Sequence, residues 1–328
     1  MADSKYSALT SVALGVRAAD VFALAQAGTS YAATVSSVTQ ASVSTGVLFN
    51  DQWPVQPAST ATGTMLIYGM NIAGQMRLNT VGEYGDDRPM QRSLFNDSMF
   101  IWYGNSSAPG TALGGIATNI GSFSSAAPVM GSPYSTRRRA TYSSTTAGVS
   151  TVQAGITSAN NDYWNTSTSG YGGYFFFARM GLESYSSASR FFVGMTPTAS
   201  NVICSTDPTS MINSVGFAIN LASSSWSFIH SSNGTASSET ILGQSALSSN
   251  ANAAGKIGYD FYIFSPPINT NVIYYRMDEM NTMSTLVNAS VTTHLPSNTS
   301  FVKGAIMSGS STNAIKIGII KMYIETTI

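Results

Sequence analysis

Charge is the scarcest commodity in this sequence. Of its 328 residues only 9% are Asp, Glu, Lys or Arg, and the two signs cancel at 15 each. An ordinary soluble domain carries about 25% charged residues. A chain with zero net charge is weakly protected against self-association, so much of its surface is expected to be covered by copies of itself or by partners. The same scarcity excludes nucleic acid as main partner, because no broad basic footprint exists to neutralise phosphates. Cysteine is nearly absent: Cys204 stands alone, which excludes an internal disulfide and reads as a small buried hydrophobe. Apolar runs are short, and none approaches the ~20 residues of a membrane helix. The opening "MADSKYSALTS" has neither the basic nor the apolar region of a secretory signal. The expectation is synthesis in the cytoplasm, with no signal peptide and no membrane insertion.

What is present is a large apolar fraction in a polar background of hydroxyls and amides. Hydrophobic residues reach 43% and aromatic residues 11%, which separates the chain from disordered sequences. Short β-branched and aromatic runs recur at close intervals, separated by Gly, Asn, Ser and Pro. Strands are predicted at residues 21–26, 31–35, 65–70 and 98–103. From residue 135 they follow densely, at 140–144, 151–156, 173–180, 190–195, 215–221, 225–230, 258–265, 272–279, 286–293, 301–308 and 314–325. This pattern, almost without helical periodicity, predicts an all-β fold: a β-sandwich or jelly-roll-like C-terminal domain with a small N-terminal β-hairpin docking module. Three regions are expected: 1–45, 46–134 as a connector with first strands, and 135–328 as the sandwich. Residues 108–133, rich in Gly, Ala and Ser, read as a long loop or an arm lying on a neighbour. A hairpin turn is predicted at Asn281-Thr282, and Asp207 before Pro208 reads as the cap of a short helix.

Two stretches carry a resemblance. "MADSKYSALT" followed by "AADVFALAQAGTSYAATVSSV" has a Met-Ala-Asp-x-Lys start, a short strand, a Gly-Thr turn and a second strand. It resembles the opening module of tailed-bacteriophage fibre and virion proteins, with Tyr6 where an aliphatic residue is usual. "YFFFARMGLESYSSASRFFVGM", "GYDFYIFSPPINTNVIYYRMDEMNT" and the closing "IKIGIIKMYIET" are similar to a β-sandwich module of phage structural proteins. Its elements fall at Arg179, Arg190-Phe191-Phe192-Val193-Gly194, Ser265-Pro266-Pro267 and Tyr323-Ile324-Glu325. The resemblance implies a trimeric tail, neck or head fibre in the virion. It would dock on other virion proteins by residues 1–45, through Val21, Phe22, Leu24 and Tyr31, and present its sandwich to a host-surface glycan or protein. A capsid decoration or cement protein without a receptor role is the alternative, and a glycan depolymerase a further one.

Chemistry-bearing constellations are sparse. His230 and His294 are the only imidazoles, and no G-x-S-x-G elbow accompanies them. The adjacent acids Asp86-Asp87 and Asp278-Glu279 point to opposite sides of an extended chain, which argues against a paired-carboxylate glycosidase. No His or Cys pair has metal-ligand spacing, and "NNDYWN" (160–165) lacks the carboxylate density of a calcium site. The expectation is no enzyme, no cofactor and no metal. Ligand contact is assigned instead to a loop with Tyr163, Trp164, Asn165 and Tyr171, whose rings suit sugar recognition.

Arginine placement is the remaining signal. Arg137, Arg138 and Arg139 form the one basic run and read as interface contacts. Arg179 and Arg190 flank "GLESYSSAS" in the most aromatic part of the chain. Strand periodicity puts Phe175, Phe177 and Arg179 on one face and Phe176, Ala178 and Met180 on the other. Both arginines are expected to be packing or interface hubs, brought near each other if the segment between them closes a hairpin, with Glu183 as local partner.

Overall fold

The computed structural model describes residues 21–26, 29–34, 65–82, 87–89, 98–104, 117–120, 122–143, 152–158, 163–164, 173–184, 189–197, 207–220, 225–232, 235–240, 257–266, 271–297, 301–310 and 314–326. Contacts divide the chain into two units, Met1–Asn71 with Met76–Gln91, and Ile72–Gln75 with Arg92–Ile328. In the first, β1 (Val21–Gln26) and β2 (Thr29–Thr34) form an antiparallel hairpin with Leu24 opposite Tyr31. Strands β3 (Leu66–Ile72), β4 (Gln75–Val81) and β5 (Asp87–Pro89) make a three-stranded sheet. The β3–β4 turn, grouped with the second unit, is two residues long, and both Ala73 and Gly74 have positive φ, as tight hairpin turns that match strand twist require.

The second unit consists of two eight-stranded sheets. One has the order β16 (Thr235–Thr240), β15 (Ser227–Ser232), β14 (Val215–Ile219), β13 (Ser189–Thr196), β20 (Phe301–Ser310), β10 (Val152–Ser158) and β7 (Ala117–Ile120), with β11 (Tyr163–Trp164) also on β20. The other has the order β19 (Ser284–Val291), β18 (Ile273–Glu279), β17 (Gly258–Ser265), β12 (Tyr174–Ser184), β21 (Lys316–Thr326), β9 (Arg139–Ser143) and β8 (Ser122–Ala126), with β6 (Ser98–Tyr103) also on β21. Hairpin runs stay within a sheet: β13 to β16 in the first, β17 to β19 in the second. The late strands β20 and β21 instead return to the sheet centres beside β13 and β12. The chain thus crosses between the sheets from one hairpin run to the next and again at β20 and β21, in a jelly-roll-like sandwich.

Strand alternation explains how the sheets meet. Tyr174, Phe176, Ala178 and Met180 of β12 turn inward with Phe261 and Ile263 of β17 and Tyr275 and Met277 of β18. They meet Phe191, Val193 and Met195 of β13, Val215, Phe217 and Ile219 of β14, and Phe228 of β15. Aromatic rings bridge the layers: Phe217 lies 5.0 Å from Phe261, Trp226 5.0 Å from Phe261, and Phe228 stacks on Tyr275 at 3.7 Å. The reverse face of the first sheet is also apolar, with Phe192, Met211, Ala218, Ile229, Ala305 and Met307 buried together. Every residue of β13 and β14 is therefore buried, and the FFVGM of β13 and the VGFAI of β14 read as unbroken apolar runs.

The all-β sandwich expected from the sequence is the fold observed. The differences are local. Residues 117–120 and 122–126, left open as loop or arm, are strands β7 and β8, which pair with β10 and β9 of this same chain. β12 and β13 do not form a hairpin; they lie in opposite sheets, so Arg179 and Arg190 are not cross-strand neighbours. The Asp207-Pro208 signal marks a single 3-10 turn, Pro208–Ser210, but the Asp207 side chain makes no cap bond; it binds Arg190 instead. The predicted turn at Asn281-Thr282 joins β18 to β19.

Candidate functional site

The outer face of the second sheet, opposite the core, carries charged and aromatic side chains on neighbouring strands. Register sets them in rows. Tyr103 of β6 lies opposite Lys321 of β21, Lys321 opposite Arg179 of β12, Arg179 opposite Asp260 of β17, and Asp260 opposite Asp278 of β18. Two residues along, the next row reads Ile101, Tyr323, Phe177, Tyr262 and Arg276. The third contains Phe175, Phe264 and Tyr274. The period of two in "YFFFAR" and "YDFYIF" generates this lattice, because each residue on the core face is followed by one on the outer face.

Two arginine–carboxylate pairs organise the rows. Arg179 donates from Nε and Nη2 to the two oxygens of Asp260, both at 2.6 Å. Arg276 donates from Nε to Asp278 at 2.9 Å. Burial alone would lower the guanidinium pKa of Arg179, but hydrogen bonds and charge from Asp260 reverse this, so it stays protonated with a raised pKa. Burial pushes the Asp278 carboxyl above its usual value against the opposing pull of Arg276. Burial, with the charges of Asp260 and Asp278, raises the Tyr262 phenol well above its ordinary value, so it remains neutral. The Lys321 ammonium sits 5.1 Å from the ring centre of Tyr323, 5.4 Å from Tyr103 and 5.5 Å from Phe177. Arg179 lies 5.8 Å from the Phe177 ring, which is itself 5.0 Å from Tyr262. Tyr103 is 55% exposed and stands at the border of this strip.

Both ends of the strip are closed by packing. At one end Phe175, Phe264 and Tyr323 are buried together with Ala73. At the other, Gly258, Gly181 and Gly318 stand side by side on β17, β12 and β21, and their missing side chains leave a trench. The fully buried Tyr134 fills it, and a Cβ on any of the three glycines would collide with its ring or hydroxyl. The Tyr134 hydroxyl donates to Glu183 at 2.9 Å and to the Gly318 carbonyl at 3.1 Å. Arg139 also binds Glu183 and lies 4.9 Å from the Tyr134 ring. Glu183, expected beside Arg179 or Arg190, thus serves Arg139.

The remaining sequence-predicted residues are dispersed. Arg190 is buried and donates to Asp207 at 2.8 Å. Arg137 and Arg138 are exposed while Arg139 is buried, so the basic run divides between solvent and interior. Tyr163 and Trp164 form β11 opposite Val302 and Phe301. Asn165 and Tyr171 lie outside the described residues, as do Cys204 and Asp86. Val21, Phe22, Leu24 and Tyr31 sit in the β1–β2 hairpin. His230 and His294 come within 6.4 Å ring to ring, and Nδ1 of His230 bonds the Thr293 carbonyl at 2.9 Å. Among the described residues, no group of three or more His, Cys, Asp or Glu side chains could hold a metal ion. Sequence reasoning singled out Tyr103 as a ring suited to sugar stacking but missed Lys321, Asp260 and Tyr262, because the rows that bring them together join strands far apart in the chain. The available signal was the alternation around Arg179.

The architecture defines a class: an all-β, two-sheet, jelly-roll-like sandwich. No protein-family model matches the chain, and no curated protein matches it. Among similar solved structures, lectin UEA-II complexed with galactose has 9% identity and a TM-score of 0.45, covering 71% of this chain and 100% of its own. Peanut lectin with a nine-residue peptide has 8% identity and a TM-score of 0.43, covering 70% and 99%. The CBM2 module of the evolved Dit of Lactobacillus casei BL23 phage J-1 has 15% identity and a TM-score of 0.37, covering 72% and 91%.

Proposed function

We propose that this chain is a structural and adhesion protein of a tailed-bacteriophage particle, assembling as a trimer and binding a host-surface glycan without cleaving it. The virion role rests on the resemblance of the opening module and of the Arg179 and Arg190 strands to phage fibre proteins. The adhesion role rests on one observation: the partly exposed strip on the second sheet, where the exposed Tyr103 and the half-buried Phe177 and Tyr262 stand beside Lys321 and Arg179. Ring faces cover the apolar side of a sugar while neighbouring charged groups bond its oxygens, the usual division of labour in a ligand site.

Two further features support the reading. Asp260 and Asp278, cross-strand neighbours on this sheet, are each bound by an arginine, which suits a fixed scaffold better than proton transfer. Val129 is 62% and Met130 91% exposed, on a segment that also exposes Arg137 and Arg138. Exposed apolar residues beside guanidinium groups are a natural contact for another copy or a virion protein. Multiple copies would raise weak single-site binding by avidity. The test is competition: the purified chain added to host cells should block particle attachment, and electron microscopy should place it projecting from the particle. A chain lying flat between capsomers, without effect on attachment, would overturn the adhesion reading in favour of a cement protein. Release of sugar from host envelope glycans would overturn the non-enzymatic part.

A further inference from the structure

On the β12–β21 side of the strip the more exposed charges are cations. Asp260 and Asp278 have side chains only 9% and 16% exposed, whereas Arg179 is 33% exposed. Lys321 is half-buried beside the exposed Tyr103. A molecule arriving at that side meets Arg179, Lys321 and Tyr103, with Asp260 behind them. Arg179 and Lys321 occupy directly opposed positions on β12 and β21. Asp260 engages Nε and Nη2 of Arg179, which leaves Nη1 outside that fork. Lys321 is drawn over Tyr103, Phe177 and Tyr323, so its ammonium is ordered on the surface and loses little freedom on binding.

Resting on the adhesion reading, we infer that the strip selects acidic glycans: a carboxylate or sulfate of the sugar chain is received between Lys321 and Arg179 while an adjoining sugar ring stacks on Tyr103. Phosphate-rich nucleic acid does not fit, because the cationic surface is two residues wide and closed at both ends by Ala73 with Phe175 and by the Tyr134 plug.

The full chain is applied to an immobilised panel of neutral, uronate-containing, sialylated and sulfated oligosaccharides, at low and at physiological salt. Binding is expected among the acidic members, weakening as salt rises. Lys321→Gln should weaken it by about tenfold or more, the scale of one hydrogen bond to a charged group, while Lys321→Arg retains it. Tyr103→Ala should abolish it with unchanged thermal unfolding. Should Lys321→Gln fail to fold, methyl esterification of a bound uronate glycan tests the same charge and should eliminate its binding. Binding confined to neutral members, or indifferent to Lys321→Gln and esterification, overturns the acidic selectivity and leaves adhesion standing. Binding to no member overturns both.

Discussion

Arg179 and Arg190 look alike in sequence and do different work in space. Arg190 is buried at the start of β13 and bonds the partly exposed Asp207. Arg179 keeps a third of its side chain in solvent while a two-pronged contact fixes it to Asp260. Removing that anchor with Asp260→Ala strands a guanidinium on a crowded sheet. We expect a loss of about 1–3 kcal/mol, read from urea denaturation; an unchanged midpoint would mean the pair contributes nothing. Asp278 gives a pH signature of definite sign. Its raised pKa means that the folded state holds the proton more tightly than the unfolded chain. Its contribution to stability therefore falls as pH rises from about 4 through the raised value. The stability of the native protein relative to Asp278→Asn should fall across that interval in denaturation series at successive pH values; a relative stability that rises would contradict the assignment.

At the scale of elements, the glycine row is what permits the Tyr134 plug. A methyl group at Gly181 would lie 2.6 Å from both the Ile257 carbonyl oxygen and Tyr134 Cζ. Gly181→Ala should therefore cost about 1–3 kcal/mol through overpacking and expel the ring, checked by thermal unfolding. Tyr134→Ala, which empties the trench, should release the segment it anchors. That segment is held by its own bonds, from Val129 N–H to the Ser135 carbonyl and from Thr136 N–H to the Ser132 carbonyl. Limited proteolysis should show new cleavage within residues 127–138 in the variant and none in the native chain. The sandwich was legible from the spacing of apolar runs, and β6, β17 and β18 fall within a residue of their expected bounds. The strands β7, β8 and β16 were not legible, because Ser- and Thr-rich segments such as "SFSSA" and "TASSET" become strands by pairing at a sheet edge rather than by their own patterning.

For the whole molecule, late strands complete early ones. β21 pairs with β12, β6 and β9, and contributes Ile317, Ile319, Met322 and Ile324 to the core. Deleting residues 316–328 should abolish cooperative unfolding of the second unit, measured by calorimetry, because three strands lose their partner and both sheets lose core. The near absence of net charge and the exposed Val129-Met130 pair lead to an expected trimer by light scattering at micromolar concentration. A strict monomer there would remove the assembly part of the proposed function.

The sequence by itself determined the secondary-structure class and the two faces of each central strand, because alternation and turn residues act over a few positions. It also determined how little chemistry the chain can offer, with two imidazoles, one thiol and few ions. Only the tertiary structure decided which outward-facing residues meet. Glu183 went to Arg139, Asp207 to Arg190 and Asp260 to Arg179, since partners across strands are set by topology and register, which local spacing does not encode. The same register converted isolated aromatic and basic residues at positions 103, 177, 179, 262 and 321 into one surface.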